Sequence, residues 1–111
     1  MIFGRQPTPQ EPKEWIVVNF RLSTGQEFGS TDERALVHQF TQRLAALIEE
    51  SKAGNYDGDE YGGGQGALYM YGPDADRLFE VVSPLLSAWE LLKGGHVIKR
   101  YGEARSEQID Y

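Results

Sequence analysis

The chain has 111 residues, of which 40% are hydrophobic and 25% are charged, and this composition is typical of one folded domain rather than a disordered chain. Its net charge of −6 disfavours sequence-independent binding to nucleic acid, which depends on lysine and arginine side chains against phosphates. The absence of cysteine excludes disulfides, thiolate nucleophiles and cysteine-ligated zinc.

The first thirteen residues form a proline-rich segment, with Pro7, Pro9 and Pro12 close together. Because proline fixes φ and restricts the residue before it, residues 1–13 are predicted to be an extended or disordered lead-in. The segment lacks the apolar run of a signal peptide, and no stretch of the chain approaches the length of a membrane span. We therefore expect a cytoplasmic protein that does not bind membranes.

A strand and a helix follow the lead-in. Residues 14–23 place apolar side chains at every second position, which indicates a half-buried strand. Ser30 and Glu33 have the spacing of a capping box, so a helix is predicted to begin there and to end at Gly54. The predicted buried stripe of this helix is Leu36, Val37, Phe40, Leu44, Leu47 and Ile48.

The next segment, GNYDGDEYGGGQG, is rich in glycine and acids. Read as a calcium loop that starts at Asp57, it has suitable residues at Asp59 and Gly62, but Tyr61 and Leu68 occupy positions that need oxygen ligands. A phosphate-binding loop is disfavoured because the segment has no lysine and leads into a strand. We therefore predict a β-hairpin, with its acids on an edge strand.

The remainder of the chain contains a second helix and a last strand. Asp74 and Asp76 follow Pro73 and indicate a helix start, whereas Pro84 is expected to kink the helix or end its regular part. A strand is predicted in GGHVIKRYG, followed by a polar tail over residues 103–111.

The predicted order is strand, helix, strand, strand, helix, strand. Because two amphipathic helices can cover only one face of a sheet, the simplest assembly is an α+β, ferredoxin-like βαββαβ sandwich. It would have a four-stranded antiparallel sheet with two helices on one face, within a single domain of residues 14–102.

One face of the predicted sheet is free of helices. Six apolar residues are expected to face the helices: Ile16, Val18, Phe20, Leu68, Met70 and Ile98. The opposite face would carry Trp15, Val17, Arg21, Tyr69, Tyr71, Lys99 and Tyr101. This aromatic face is either a binding surface, since Tyr, Trp and Arg dominate interface energetics, or a surface covered by the lead-in or the tail. Stacking on RNA is disfavoured by the acidic charge.

Catalytic motifs are absent from the sequence. His38 and His96 have no ligand or base at a recognisable spacing, and no serine lies in a Gly-x-Ser-x-Gly context. We therefore predict no catalytic residue, no metal site and no cofactor.

Residues 54–102 resemble a group of small bacterial proteins with a Tyr-Asp-Gly strand, a Tyr-Gly-Pro-Asp-Ala-Asp helix start and a closing Arg-Tyr-Gly strand. The chain is also loosely similar to the regulator of ribonuclease E activity B family, through Tyr56, Asp57 and Gly58. In that family a tryptophan follows the glycine, where this chain has Asp59. The second resemblance implies an inhibitor that acts by binding its enzyme, and neither resemblance implies a catalytic residue.

The sequence thus predicts a non-enzymatic protein-binding or regulatory module, of the inhibitor, immunity or self-associating type. Its partner would be another protein or a second copy of the chain, contacted through the aromatic face or the acidic hairpin. The candidate binding residues are Trp15, Arg21, Asp57, Asp59, Glu60, Tyr69, Tyr71, Lys99 and Tyr101. The alternative is a small enzyme or ligand-binding domain with a site between the open face and the tails, where His96, Glu27 or Glu103 would have a shifted pKa.

Overall fold

A computed structural model describes residues 13–22 and 29–111. The strands are β1 (Glu14–Arg21), β2 (Asn55–Gly62), β3 (Gln65–Gly72), β4 (His96–Arg100) and β5 (Ser106–Asp110). The helices are α1 (Thr31–Ser51) and α2 (Ala75–Ala88), with a short 3-10 helix at Glu90–Leu92. The predictions for residues 1–12 and for Glu27 lie outside the described residues.

The strands form one antiparallel sheet in the order β2-β3-β1-β4-β5. The predicted sheet of four strands is therefore wrong, because part of residues 103–111, predicted as a polar tail, pairs with β4 as β5. The sequence of β5 has a single aliphatic side chain, Ile109, so it lacks the alternation that identifies a half-buried strand. Strand β5 is joined to β4 by backbone hydrogen bonds. The bonding continues beyond the strands, where the Gly94 amide donates to the Tyr111 carbonyl at 3.0 Å.

Both helices pack against the same face of the sheet, as predicted. Ile16, Val18 and Phe20 of β1 lie in one buried cluster with side chains of both helices. The other members of this helix-side core include Val37, Phe40, Leu44 and Ile48 of α1, Leu68 and Met70 of β3, Leu78, Val82 and Leu86 of α2, and Val97 of β4. The burial of these apolar side chains is the main stabilising contribution to the fold.

Helix α1 begins as predicted but ends earlier. The Ser30 hydroxyl accepts a hydrogen bond from the Glu33 amide at 3.1 Å, which confirms the N-cap. At the other end, Lys52 rather than Gly54 adopts the left-handed cap conformation, with φ 56° and ψ 31°. Leu36 was predicted to be buried but is exposed. The buried side of α1 instead includes Glu33, Val37 and Thr41, and Leu36 lies outside it.

The glycine-rich segment forms β2 and the turn of the β2–β3 hairpin, and the hairpin prediction is confirmed. Gly63 and Gly64 separate the paired residues Gly62 and Gln65, and their φ angles are 60° and 76°. Two consecutive positive φ values define the type I′ turn, which matches the twist of the flanking strands. The Gly64 carbonyl also accepts a hydrogen bond from the Leu22 amide at 2.9 Å, so the turn is attached to the end of β1.

Replacing Gly63 with valine is expected to lower the free energy of unfolding by about 1–2 kcal/mol, because a β-branched residue resists positive φ. Gly63→Asn should stay close to the wild-type value, since asparagine is favoured in type I′ turns. Urea denaturation of the two variants measures the difference. Equal stability of both variants would contradict the assigned turn.

Helix α2 continues through Pro84 and ends at Ala88. Of the two alternatives predicted for Pro84, a kink or an end of the regular helix, the second is wrong, and Pro84 lies on an exposed side of the helix. The break comes instead at Trp89, whose extended backbone (φ −86°, ψ 113°) separates α2 from the 3-10 helix. The Trp89 ring stacks on Phe40 with centroids 4.1 Å apart and makes an edge-to-face contact with Phe20, with centroids 4.9 Å apart. This contact fixes the end of α2 against α1.

Candidate functional site: an acidic edge strand and two side-chain clusters

The sheet face opposite the helices carries a second buried cluster. Trp15, Ala67 and Tyr69 form it, with Val17 and Tyr71 packed against them. The rings of Trp15 and Tyr71 lie 5.0 Å apart. Trp15 is only 9% exposed and Tyr69 only 3%, so the two central aromatic residues are not presented to solvent. Of the predicted aromatic face, Trp15 and Tyr69 are therefore buried, whereas Val17 and Tyr71 are half-buried and Arg21 is exposed.

The register of β4 differs from the predicted one. Val97 pairs with Val18 and lies in the helix-side core, whereas Ile98 pairs with Val17 on the opposite face. Lys99 and Tyr101 consequently lie on the helix side, and their predicted place on the aromatic face is wrong. The sequence has two adjacent aliphatic residues at this point, and a one-residue shift moves every side chain of a strand to the other face.

Lys99 and Tyr101 meet at Asp76, in the first turn of α2. Lys99 Nζ donates a hydrogen bond to Asp76 Oδ1 at 3.0 Å, and the Tyr101 hydroxyl donates to the same oxygen. The Lys99 side chain is 12% exposed, lies 3.5 Å from a Glu107 carboxylate oxygen and stands over the Phe79 ring at 4.9 Å. The cluster thus joins the start of α2 to β4 and β5. Its geometry is that of a structural ion pair.

The pKa values of this cluster shift in the directions that the contacts dictate. The hydrogen bonds from Tyr101 and Lys99 lower the pKa of Asp76. The hydrogen bond to Asp76, together with burial, raises the pKa of Tyr101. Burial alone would lower the pKa of Lys99, but the bonds to Asp76 and Tyr101 outweigh it and raise that pKa above its usual range.

The stability of the protein should fall as the pH rises above about 10, the pKa of an unfolded tyrosine. Tyr101 and Lys99 have folded pKa values above their unfolded ones, so their contributions are complete below the unfolded pKa and are lost as the pH rises through the folded pKa. Tyr61 and Tyr111 shift in the same direction through burial. Urea midpoints between about pH 8 and about pH 11 measure this loss.

The Tyr101→Phe variant tests the assignment to the cluster. It should lose less stability than the wild type over the same alkaline range, because the phenol that binds Asp76 is absent. A pH dependence identical to that of the wild type would show that Tyr101 does not contribute.

The predicted acidic residues lie on β2, one of the two outer strands of the sheet. Asp57 and Asp59 are exposed, and Glu60 is half-buried. The pairing with β3 skips Asp57, which is the extra residue of a β-bulge between Tyr56 and Gly58. Asp57, Asp59 and Glu60 are called the acidic edge below. Because a bulge bends its strand and redirects the side chains, β2 is not a regular flat strand at the acidic edge.

Asp59 is held in position by its neighbour Tyr61. The Tyr61 hydroxyl donates a hydrogen bond to Asp59 Oδ2 at 3.1 Å. Burial and the nearby Asp59 carboxylate raise the pKa of Tyr61 above its usual range, so this donor keeps its proton at neutral pH. The Tyr61 ring makes an edge-type contact with Phe20, with centroids 6.4 Å apart. The Arg34 guanidinium lies over the same ring, 4.9 Å from its centroid. These contacts hold Tyr61 in place on the hairpin, and its hydroxyl in turn orients the Asp59 carboxylate.

The candidate residues thus fall into three groups, with Arg21 apart from them. Trp15, Tyr69 and Tyr71 lie together on one face of the sheet, Lys99 and Tyr101 meet on the other, and Asp57, Asp59 and Glu60 follow the β2 edge. Arg21 is exposed at the end of β1. Sequence reasoning missed the contacts of Asp76, for which the only signal was its place in the first turn of a helix.

Within residues 13–22 and 29–111, no group of three or more His, Asp or Glu side chains is arranged to hold a metal ion. No helix of these ranges is long and apolar enough to cross a membrane. His38 is exposed on α1, and His96 is half-buried at the start of β4. No family model, curated protein or solved structure matches the chain.

Proposed function

We propose that the protein is a non-enzymatic binding module whose acidic edge contacts a basic surface of a partner protein. The observation that carries the proposal is the exposure of Asp57 and Asp59 on an outer strand of the sheet. Carboxylates in such a position attract a basic partner over several ångströms and accelerate its association. The hydrogen bond from Tyr61 orders Asp59 before binding, which lowers the entropic cost of the contact.

The acidic edge is favoured over the aromatic face as the contact surface. An interface residue must be accessible to its partner, and the low exposure of Trp15 and Tyr69 limits what that face can contribute. Lys99 and Tyr101 are engaged with Asp76 on the helix side. On the acidic edge, by contrast, the Asp57 and Asp59 side chains are exposed to solvent.

The fold and the resemblances agree with a binding role. The order β2-β3-β1-β4 and the βαββαβ succession support a ferredoxin-like sandwich, to which β5 adds a fifth strand. The Tyr56-Asp57-Gly58 segment, through which the chain resembles a family of enzyme inhibitors, lies within the acidic edge strand. An inhibitor or immunity-type protein of the cytoplasm would use such an edge to occupy a basic site on its target.

Affinity capture from a native cell lysate, with and without nuclease, tests this function. The proposal expects one basic protein to be enriched in both experiments and to be released by salt, since the attraction between exposed charges extends about 10 Å at 0.1 M ionic strength but only about 3 Å at 1 M. Enrichment that disappears with nuclease would favour a nucleic-acid partner instead. Recovery of the chain alone would favour self-association and contradict a separate basic partner.

A further inference from the structure

A groove lies between α1 and the segment that follows α2. Its volume is about 390 Å³, within the range of pockets that hold small molecules. One wall is formed by Leu36, Gln39 and Arg43, which are three and four residues apart on α1 and therefore share one side of the helix. The other wall is formed by residues 88–91, where the chain leaves α2. The groove is on the helix side of the sheet and is separate from the acidic edge.

The floor of the groove is aromatic. Phe40 and Trp89 line it with rings that are parallel to within 2°, and of the two only Trp89 is half-buried, since Phe40 is 5% exposed. Leu36 is 55% exposed, and no other large hydrophobic side chain in the described ranges is classed as exposed. An exposed leucine beside the half-buried Trp89 ring gives an apolar ligand a surface against which to bury its own apolar area.

The groove also carries one uncompensated positive charge. Arg43 is exposed, and within the described part of the chain no carboxylate lies at ion-pair distance from it. On the opposite wall, Glu90 lies 3.1 Å from Lys93, so its charge is balanced. The local charge of the groove is therefore positive in a chain whose net charge is −6.

We propose that this groove binds a small apolar carboxylate, with the ring or chain of the ligand on the accessible parts of Trp89 and Leu36 and its carboxylate at Arg43. The guanidinium can form a paired hydrogen bond with a carboxylate, an interaction stronger than its neutral equivalent. Gln39, one helical turn before Arg43, places an amide on the same wall for a further hydrogen bond. Apolar contact and charge together define the class of ligand.

The test uses 2-naphthoate as the probe, titrated into the protein and followed by backbone amide NMR. We expect saturable shifts in residues 36–43 and 88–91, with a dissociation constant on the order of 0.1 mM for a ligand of this size. The neutral isostere 2-naphthamide should bind about tenfold more weakly, because it lacks the charge that Arg43 recognises. Shifts that do not saturate, or that lie elsewhere in the chain, would overturn the proposal.

Two pairs of variants separate the charge from the apolar surface. Arg43→Gln should weaken naphthoate binding by about tenfold and remove the preference over naphthamide, whereas Arg77→Gln, an equal change of charge on an exposed arginine of α2, should do neither. Ala88→Phe should fill the groove and abolish binding of both probes, while Ser87→Phe, at the exposed neighbouring position, should not. Unchanged affinity in Arg43→Gln or in Ala88→Phe would refute the site, and neither result bears on the acidic edge.

Discussion

Replacing Trp89 with alanine is expected to lower the free energy of unfolding by about 2–3 kcal/mol, less than the roughly 3–5 kcal/mol for a fully buried aromatic side chain, because Trp89 is half-buried against the core. The indole contacts Phe40 face to face and Phe20 edge to face, so it joins the end of α2 to both α1 and β1. Its removal leaves a cavity where the end of α2 meets α1 and β1. Equilibrium denaturation in urea, monitored by far-UV circular dichroism, measures the change.

Leu36→Ala is the control for this substitution. Leu36 lies in the same groove but is 55% exposed, so its truncation should change the stability by at most about 0.5 kcal/mol. If Trp89→Ala also changed the stability by less than about 1 kcal/mol, the stacked rings would not belong to the core.

Reversing two charges on the acidic edge, in Asp57→Lys with Asp59→Lys, is expected to weaken binding of the basic partner by at least about 100-fold. Close charge pairs at an interface contribute about 1.5–7 kcal/mol each, and a like charge in their place adds repulsion. Both side chains are exposed on an outer strand, so the fold should tolerate the change. Surface plasmon resonance at several salt concentrations would report the loss, mainly as slower association.

Glu49→Lys with Glu50→Lys is the matched control. These two acids are exposed on α1, and their reversal changes the net charge by the same amount. If the control weakened binding as strongly as the β2 variant, the partner would respond to overall charge rather than to the acidic edge.

Local sequence patterns predicted the local structure well. Ser30 and Glu33 marked the start of α1, and the glycines at 63 and 64 marked a hairpin, because a cap and a turn are determined by a few neighbouring residues. The placement of both helices on one face also followed from the order of the elements.

The side chains of β4 show where such reasoning fails. Val97 and Ile98 are both aliphatic, and only pairing with β1 determines that Val97 enters the helix-side core. The error moved Lys99 and Tyr101 to the wrong face, so their shared contact with Asp76 was not predicted. A one-residue register choice is a tertiary property that no local pattern contains.

The candidate site was predicted only in part for the same reason. The acids of β2 were correctly placed on an edge strand, because glycines and charges favour edges. The burial of Tyr69 and the groove beside Trp89 depend on contacts between distant segments. Leu36 illustrates this: its helical spacing favoured burial, but the contacts of α1 leave it exposed.

Quantitative capture of partners by the wild type, the Asp57/Asp59 reversal variant and the Glu49/Glu50 control tests the central claim most directly. The account predicts that a basic protein is recovered equally by the wild type and the control and is lost with the Asp57/Asp59 variant. Equal recovery of the same proteins by all three would show that the acidic edge does not make the contact.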